Sequence, residues 1–230
     1  MKAVTQQVLF DRIKNPQKKL SRVFLKSCEA VLETRDAHGN TPLIWAAINN
    51  DTVKLGHLVF AGSDVNAANN DGDTALMWTM FYGNVRATKA LLAKGAKTDI
   101  ASRYGDTPLT WAAINGQRKT AALLLDQNPA LLDNASGFGV TALMVAAGEG
   151  HSDVVGLFVT QGADLYAQDR NGLNALMWAE RAGKTQTANM LFRAMAQHPK
   201  GVVHPPLPES PFSAVLKPSV SAARQQRHAR

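Results

Sequence analysis

The 230-residue sequence holds a single cysteine, Cys28. One cysteine closes no disulfide within the chain, so oxidative stapling plays no part in the fold. No second cysteine and no arranged cation stands by to lower its pKa, so Cys28 reads as a small packing residue rather than a reactive thiol. No apolar run reaches the roughly 18 residues of a membrane-spanning helix. The opening residues, MKAVTQQVLFDRIKNP, lack the apolar core of a signal peptide. The expectation is therefore an unprocessed, cytoplasmic protein, with a periplasmic or secreted one as the alternative if a leader has been removed. Catalytic signatures are missing as well. There is no GxGxxG, P-loop, HExxH, CxxC pair or GxSxG. The histidines (His38, His57, His151, His198, His204, His228) are scattered without ligand spacing. No catalytic residue, metal or cofactor is expected, and the chain reads as a non-enzyme.

With 45% hydrophobic and 19% charged residues, the composition is that of a soluble folded protein. The net charge of +7 is unevenly placed. Residues 1–35 carry eight Lys/Arg against three Asp/Glu, and residues 198–230 carry five against one. The stretch between them carries twelve against fourteen, so the positive charge sits at the two ends. A nucleic-acid reader concentrates its cations on one folded face. The middle of the chain does not, which leaves a nucleic-acid or acidic-surface role only to the basic ends.

That middle is one short stretch written five times: TPLIWAA from Thr41, TALMWTM from Thr74, TPLTWAA from Thr107, TALMVAA from Thr141 and NALMWAE from Asn174. The steps between first residues are 33, 33, 34 and 33. A glycine (Gly39, Gly72, Gly105, Gly139, Gly172) stands two residues before each, where a tight turn needs positive φ. The Thr or Asn that follows is placed to cap a helix, and Pro42 and Pro108 fall at the first helical position. The first helix ends near Asn50, Gly83, Gly116, Gly150 or Gly183, and a second amphipathic helix follows. The one extra residue falls around Asn128-Pro129-Ala130, as a loop insertion. Trp45, Trp78, Trp111 and Trp178 recur with the repeat, and Val145 takes their place in the fourth. A position that accepts Trp or Val among Ala and Leu is a core position. Asp64, Asp99, Asp133 and Asp164 follow the second helices, where Asp serves turn geometry.

A period near 33 with a TPL-type signature resembles the ankyrin-repeat family, in a bacterial-looking style. The resemblance covers about residues 1–197. It implies an all-α solenoid of stacked helix-turn-helix units with short β-turn or hairpin loops. Residues 1–35 read as an N-terminal capping repeat of two helices, with apolar Leu9, Phe10, Ile13, Val23 and Phe24 on one side and lysines and arginines outward. Residues 36–197 hold the five repeats. Residues 198–230, rich in Pro, Ser and basic residues, read as a disordered tail with two PxxP matches. After its signature Leu the family often has His. Here the position holds Ile44, Met77, Thr110, Met144 and Met177, so repeats must be joined by apolar packing.

The resemblance also implies where a partner binds: at the turn tips and at the ends of the first helices, which line one concave face. Carried over by position, these residues are His38, Ile48, Asn49, Phe81, Tyr82, Arg103, Tyr104, Ile114, Asn115, Phe138, Glu149 and Arg181, with Arg170 on the fifth tip. The expected centre is Phe81, Tyr82, Arg103, Tyr104, Ile114 and Phe138, because exposed aromatic clusters mark interfaces. The expected function is a monomeric, non-enzymatic scaffold holding an unidentified protein partner.

Overall fold

The computed structural model describes residues 2–15, 17–19 and 32–197. The second half of the expected capping repeat and the expected disordered tail lie outside these residues, as does Cys28.

Among the described residues the regular structure is helical, with eleven α-helices and one short 3-10 turn. α1 spans Lys2–Lys14. Each repeat then adds a pair: α2 (Pro42–Ile48) with α3 (Thr52–Phe60), α4 (Ala75–Tyr82) with α5 (Val85–Leu92), α6 (Pro108–Ile114) with α7 (Arg118–Gln127), α8 (Ala142–Glu149) with α9 (Ser152–Thr160), and α10 (Ala175–Arg181) with α11 (Thr185–Gln197). First helices pack side by side in one row and second helices in another. The buried side chains between the rows form one continuous hydrophobic core. This is the expected all-α solenoid.

The repeated capping residues do what their position requires. The side-chain oxygens of Thr41, Thr74, Thr107, Thr141 and Asn174 accept the backbone N–H three residues on, at 3.0–3.4 Å. Each bond satisfies a donor that a helix start otherwise leaves free. Ile44, Met77, Thr110, Met144 and Met177 are all buried, so the apolar seam between repeats is real. The extra residue of the third repeat is not slack chain: Pro129–Leu131 forms a 3-10 turn that buries Leu131 and Leu132.

The four tryptophans do not share one environment, which corrects the expectation of a uniform core position. Trp78 and Trp111 are buried, edge-to-face at 5.1 Å. Trp45 and Trp178, in the first and last repeats, are half-buried. Their indole N–H groups donate to Asp36 at 2.6 Å and to Asp169 at 3.1 Å.

α1 is locked to the first repeat by side chains that no repeat signature announces. Leu9, Phe10 and Ile13 are buried. Asn49 donates to the Ile13 carbonyl at 3.1 Å. The Lys54 ammonium, only 3% exposed, donates to the carbonyls of Ile13 at 3.2 Å and Asn15 at 2.7 Å. Asp51 lies 3.4 Å from the same nitrogen. Lys54 and Asn49 thus supply the C-terminal cap of α1 from the neighbouring repeat.

Candidate functional site: the turn tips and first-helix ends

Each turn tip is built by one residue three places before its glycine. That residue is Asp36, Asn69, Ser102, Ser136 or Asp169. Its side-chain oxygen accepts two backbone N–H groups across the turn: those of His38 and Asn40, Asp71 and Asp73, Tyr104 and Asp106, Phe138 and Val140, or Asn171 and Leu173. Asp, Asn and Ser are residue types that offer the backbone this local bond. Where the residue is Asp, a second oxygen remains, and it takes the half-buried Trp of the same repeat. Burial alone would raise the pKa of Asp36. The bonds from Trp45, Asn40 and His38 and the nearby Lys14 charge outweigh that effect and hold it below the ordinary value.

The tips are joined to one another. The Asn70 amide donates to His38 O at 3.0 Å, that of Arg103 to Asp71 O at 2.7 Å and that of Arg170 to Phe138 O at 3.0 Å. Gly72 (φ +81°) shows why glycine is required: an added Cβ would lie 3.0 Å from the Arg103 nitrogen of the next tip. At the third tip the neighbour stands back, and a Cβ on Gly105 would meet only Ser136 Cβ at 3.4 Å.

The expected site residues divide into three groups: open, buried and half-buried. Tyr82 (37% exposed), Tyr104 (51%) and Phe138 (64%) are open to solvent, and so are His38, Asn49 and Arg103. Arg103 donates to Asn70 O and lies 4.0 Å from the Asp71 carboxylate. Burial raises the Tyr82 hydroxyl pKa.

Ile48 (8% exposed) and Phe81 (7%) are buried, and this corrects their assignment to the open face. Phe81 is a ring in the inter-repeat seam, 5.8 Å from Trp78 and 6.0 Å from Trp111, and Tyr82 stacks edge-on upon it at 4.9 Å. Core packing does explain Phe81, and Phe81 in turn positions Tyr82. Ile114, Asn115, Glu149 and Arg181 are half-buried. Asn115 turns back to its own helix, donating to Trp111 O at 2.8 Å.

Sequence reasoning missed the Asp169–Trp178 pair and the role of Arg170, whose guanidinium lies 5.4 Å from the centre of the Phe138 ring. A signal existed for the former: Asp occupies the third place before the glycine only in the first and fifth repeats. No helix among the described residues is long and apolar enough to cross a membrane. No group of three metal-ligating side chains is present among them either.

A solenoid of helix pairs with a row of linked turn tips and an open first-helix edge is a repeat protein of the kind that binds through extended surfaces. The family model for ankyrin repeats in three copies matches residues 55–134 and 127–200, and the single ankyrin repeat matches 38–70. The chain belongs to the ankyrin-repeat family, whose repeats in general mediate protein–protein contacts. It is similar to the E3 ubiquitin-protein ligase XBAT33 of Arabidopsis thaliana, 38% identical over 76 residues. That match covers 32% of this chain and 15% of the relative.

Proposed function

We propose that the chain is a non-enzymatic scaffold that binds a protein partner on its concave face, with Tyr82, Tyr104, Arg103 and Phe138 at the centre of the contact. The observation that carries this is the exposure of three large aromatic side chains on neighbouring repeats, Tyr82 at a helix end and Tyr104 and Phe138 on bonded turn tips. Solvent-exposed aromatics on a rigid surface lose little entropy on binding and bury large areas. Nothing in the core needs Tyr104 or Phe138, whereas Phe81 supports Tyr82 from beneath. The ligase activity named for the relative is said of a protein that this chain covers by 15%, and it forms no part of this reading.

The test is partner capture followed by an affinity measurement with the captured protein. Tyr82→Ala combined with Tyr104→Ala is expected to weaken binding by roughly tenfold or more, since truncated interface aromatics commonly cost 1–2 kcal/mol or more each. Circular dichroism should show the fold unchanged. Undiminished affinity in the double variant would sink the proposal.

A further inference from the structure

Of the two arginines on the tip row, one is engaged. Arg103 is paired with Asp71 and the Asn70 carbonyl. Arg170 is exposed, and its guanidinium makes no ion pair with any carboxylate among the described residues. Its place is nonetheless set. Its backbone N–H is bonded to Phe138 O, and its guanidinium rests over the Phe138 ring. The neighbouring Asp169 does not compete for it directly. One oxygen of that buried carboxylate accepts the amides of Asn171 and Leu173, and the other accepts the Trp178 indole N–H.

The same corner has an apolar floor. Seven places after the capping threonine the first three repeats carry Ile48, Phe81 and Ile114, but the fourth carries Gly148. A Cβ there would lie 3.1 Å from Cε3 of Trp178, so the ring occupies the side of Gly148 where a side chain would stand. Trp178 is half-buried and held by Asp169. Phe138, 64% exposed, stands on the preceding tip, joined to this one through Arg170. On the helix-end side the exposed carboxylate of Glu180 and the half-buried one of Glu149 stand with the cations Arg181 and Lys184, so charges of both signs meet there, whereas the tip side presents the Arg170 guanidinium without a carboxylate partner among the described residues.

Resting on the concave-face reading above, we infer that this corner selects the partner: Arg170, Phe138 and Trp178 take an extended peptide segment with a carboxylate beside a large apolar side chain. The carboxylate pairs with the Arg170 guanidinium, which the Phe138 ring holds in place. The apolar side chain covers Phe138 and the exposed edge of Trp178. Charge complementarity picks the occupant: an acidic group satisfies Arg170, while a basic segment would leave it repelled at the tip.

The probe is a random 12-residue peptide library displayed on phage and selected against the full chain, Arg170→Gln, Phe138→Ser, and the double variant Tyr82→Ala with Tyr104→Ala. Arg170 and Phe138 are exposed, so these variants should fold. Wild-type selections should enrich Asp or Glu next to Leu, Phe or Trp. Synthesised winners should bind Arg170→Gln at least tenfold more weakly and lose affinity as salt rises. Winners without an acidic residue, or acidic winners that bind Arg170→Gln equally well, overturn the inference. If such winners still need Tyr82 and Tyr104, the concave-face reading stands alone. If they bind every variant as tightly as wild type, both fall. No enrichment, or enrichment of basic peptides, overturns the inference. Saturable binding of a twelve-nucleotide oligo-uridine that Arg170→Gln abolishes would also overturn it, in favour of a nucleic-acid face.

Discussion

At the scale of single residues the repeated tryptophan position has two chemistries. Trp111 is buried between Phe81 and Trp78, and its removal opens a cavity in the middle of the array. Trp111→Ala should cost about 3–5 kcal/mol, read as a fall in the urea midpoint. Trp45→Ala should cost distinctly less, because its ring is half-exposed and part of its hold is the bond to Asp36. Equal losses would contradict the division. Asp36 also carries a pH signature. Its folded pKa lies below the ordinary 3.8. The stabilisation it gives is therefore present above about pH 4 and is lost as pH falls through the folded value. An acid titration of stability should show Asp36→Asn losing less than wild type below pH 4, the bond-accepting side chain no longer being titratable. The recurrence of Trp was legible in the sequence, but its pairing with the Asp three places before the turn glycine was not. Asp36 and Trp45 are nine places apart, and only the turn brings them together.

At the scale of elements, helix starts were legible and helix partners were not. A Thr or Asn cap acts on the amide three residues ahead, so its role can be read from a window of four residues. The cap of α1 comes from Asn49 and Lys54, 36 and 41 positions beyond Ile13, and no local pattern discloses it. Lys54 sits on an amphipathic helix where a lysine would ordinarily be assigned to solvent. Its burial is tolerable because the ammonium finds two carbonyls and the Asp51 carboxylate. Lys54→Met keeps the volume and removes the donors. It should destabilise by about 1–3 kcal/mol, because the Ile13 and Asn15 carbonyls and the Asp51 carboxylate each lose a charged partner. Hydrogen exchange should locate the loss in α1, with the amides of α4 to α11 protected as before. Uniform loss of protection along the chain would show that Lys54 is not a local cap. Two of the open-face assignments, Phe81 and Ile48, failed by the same logic. Phe81 and Ile48 lie at helix ends that face outward on a generic helix wheel. The neighbouring repeat covers them, and the height of a neighbour is not written in a single repeat.

At the scale of the molecule, a solenoid is as cooperative as its weakest seam. Equivalent side chains tie the seams between successive repeats. Gln117 reaches from the third repeat to Phe81 O of the second at 3.3 Å, and His151 reaches from the fourth to Ile114 O of the third at 3.0 Å. The seams they cross differ. Between the second and third repeats the rings of Trp78, Phe81 and Trp111 interlock. Between the third and fourth the tryptophan series is interrupted by half-buried Val145, and the tip of the third repeat stands back from Ser136. The inserted turn at Pro129–Leu131 enters at this same seam. Removing one tie should therefore have unequal results. Gln117→Ala should lower the urea midpoint while leaving one transition, because the rings still couple the repeats. His151→Ala should broaden or split the transition, as α1 with the first three repeats separates from the last two. Tryptophan fluorescence follows Trp45, Trp78 and Trp111 on one side and Trp178 on the other, and far-ultraviolet circular dichroism follows both. The two signals should coincide for Gln117→Ala and diverge for His151→Ala. Coincident single transitions in both variants would show that apolar packing alone carries the third seam.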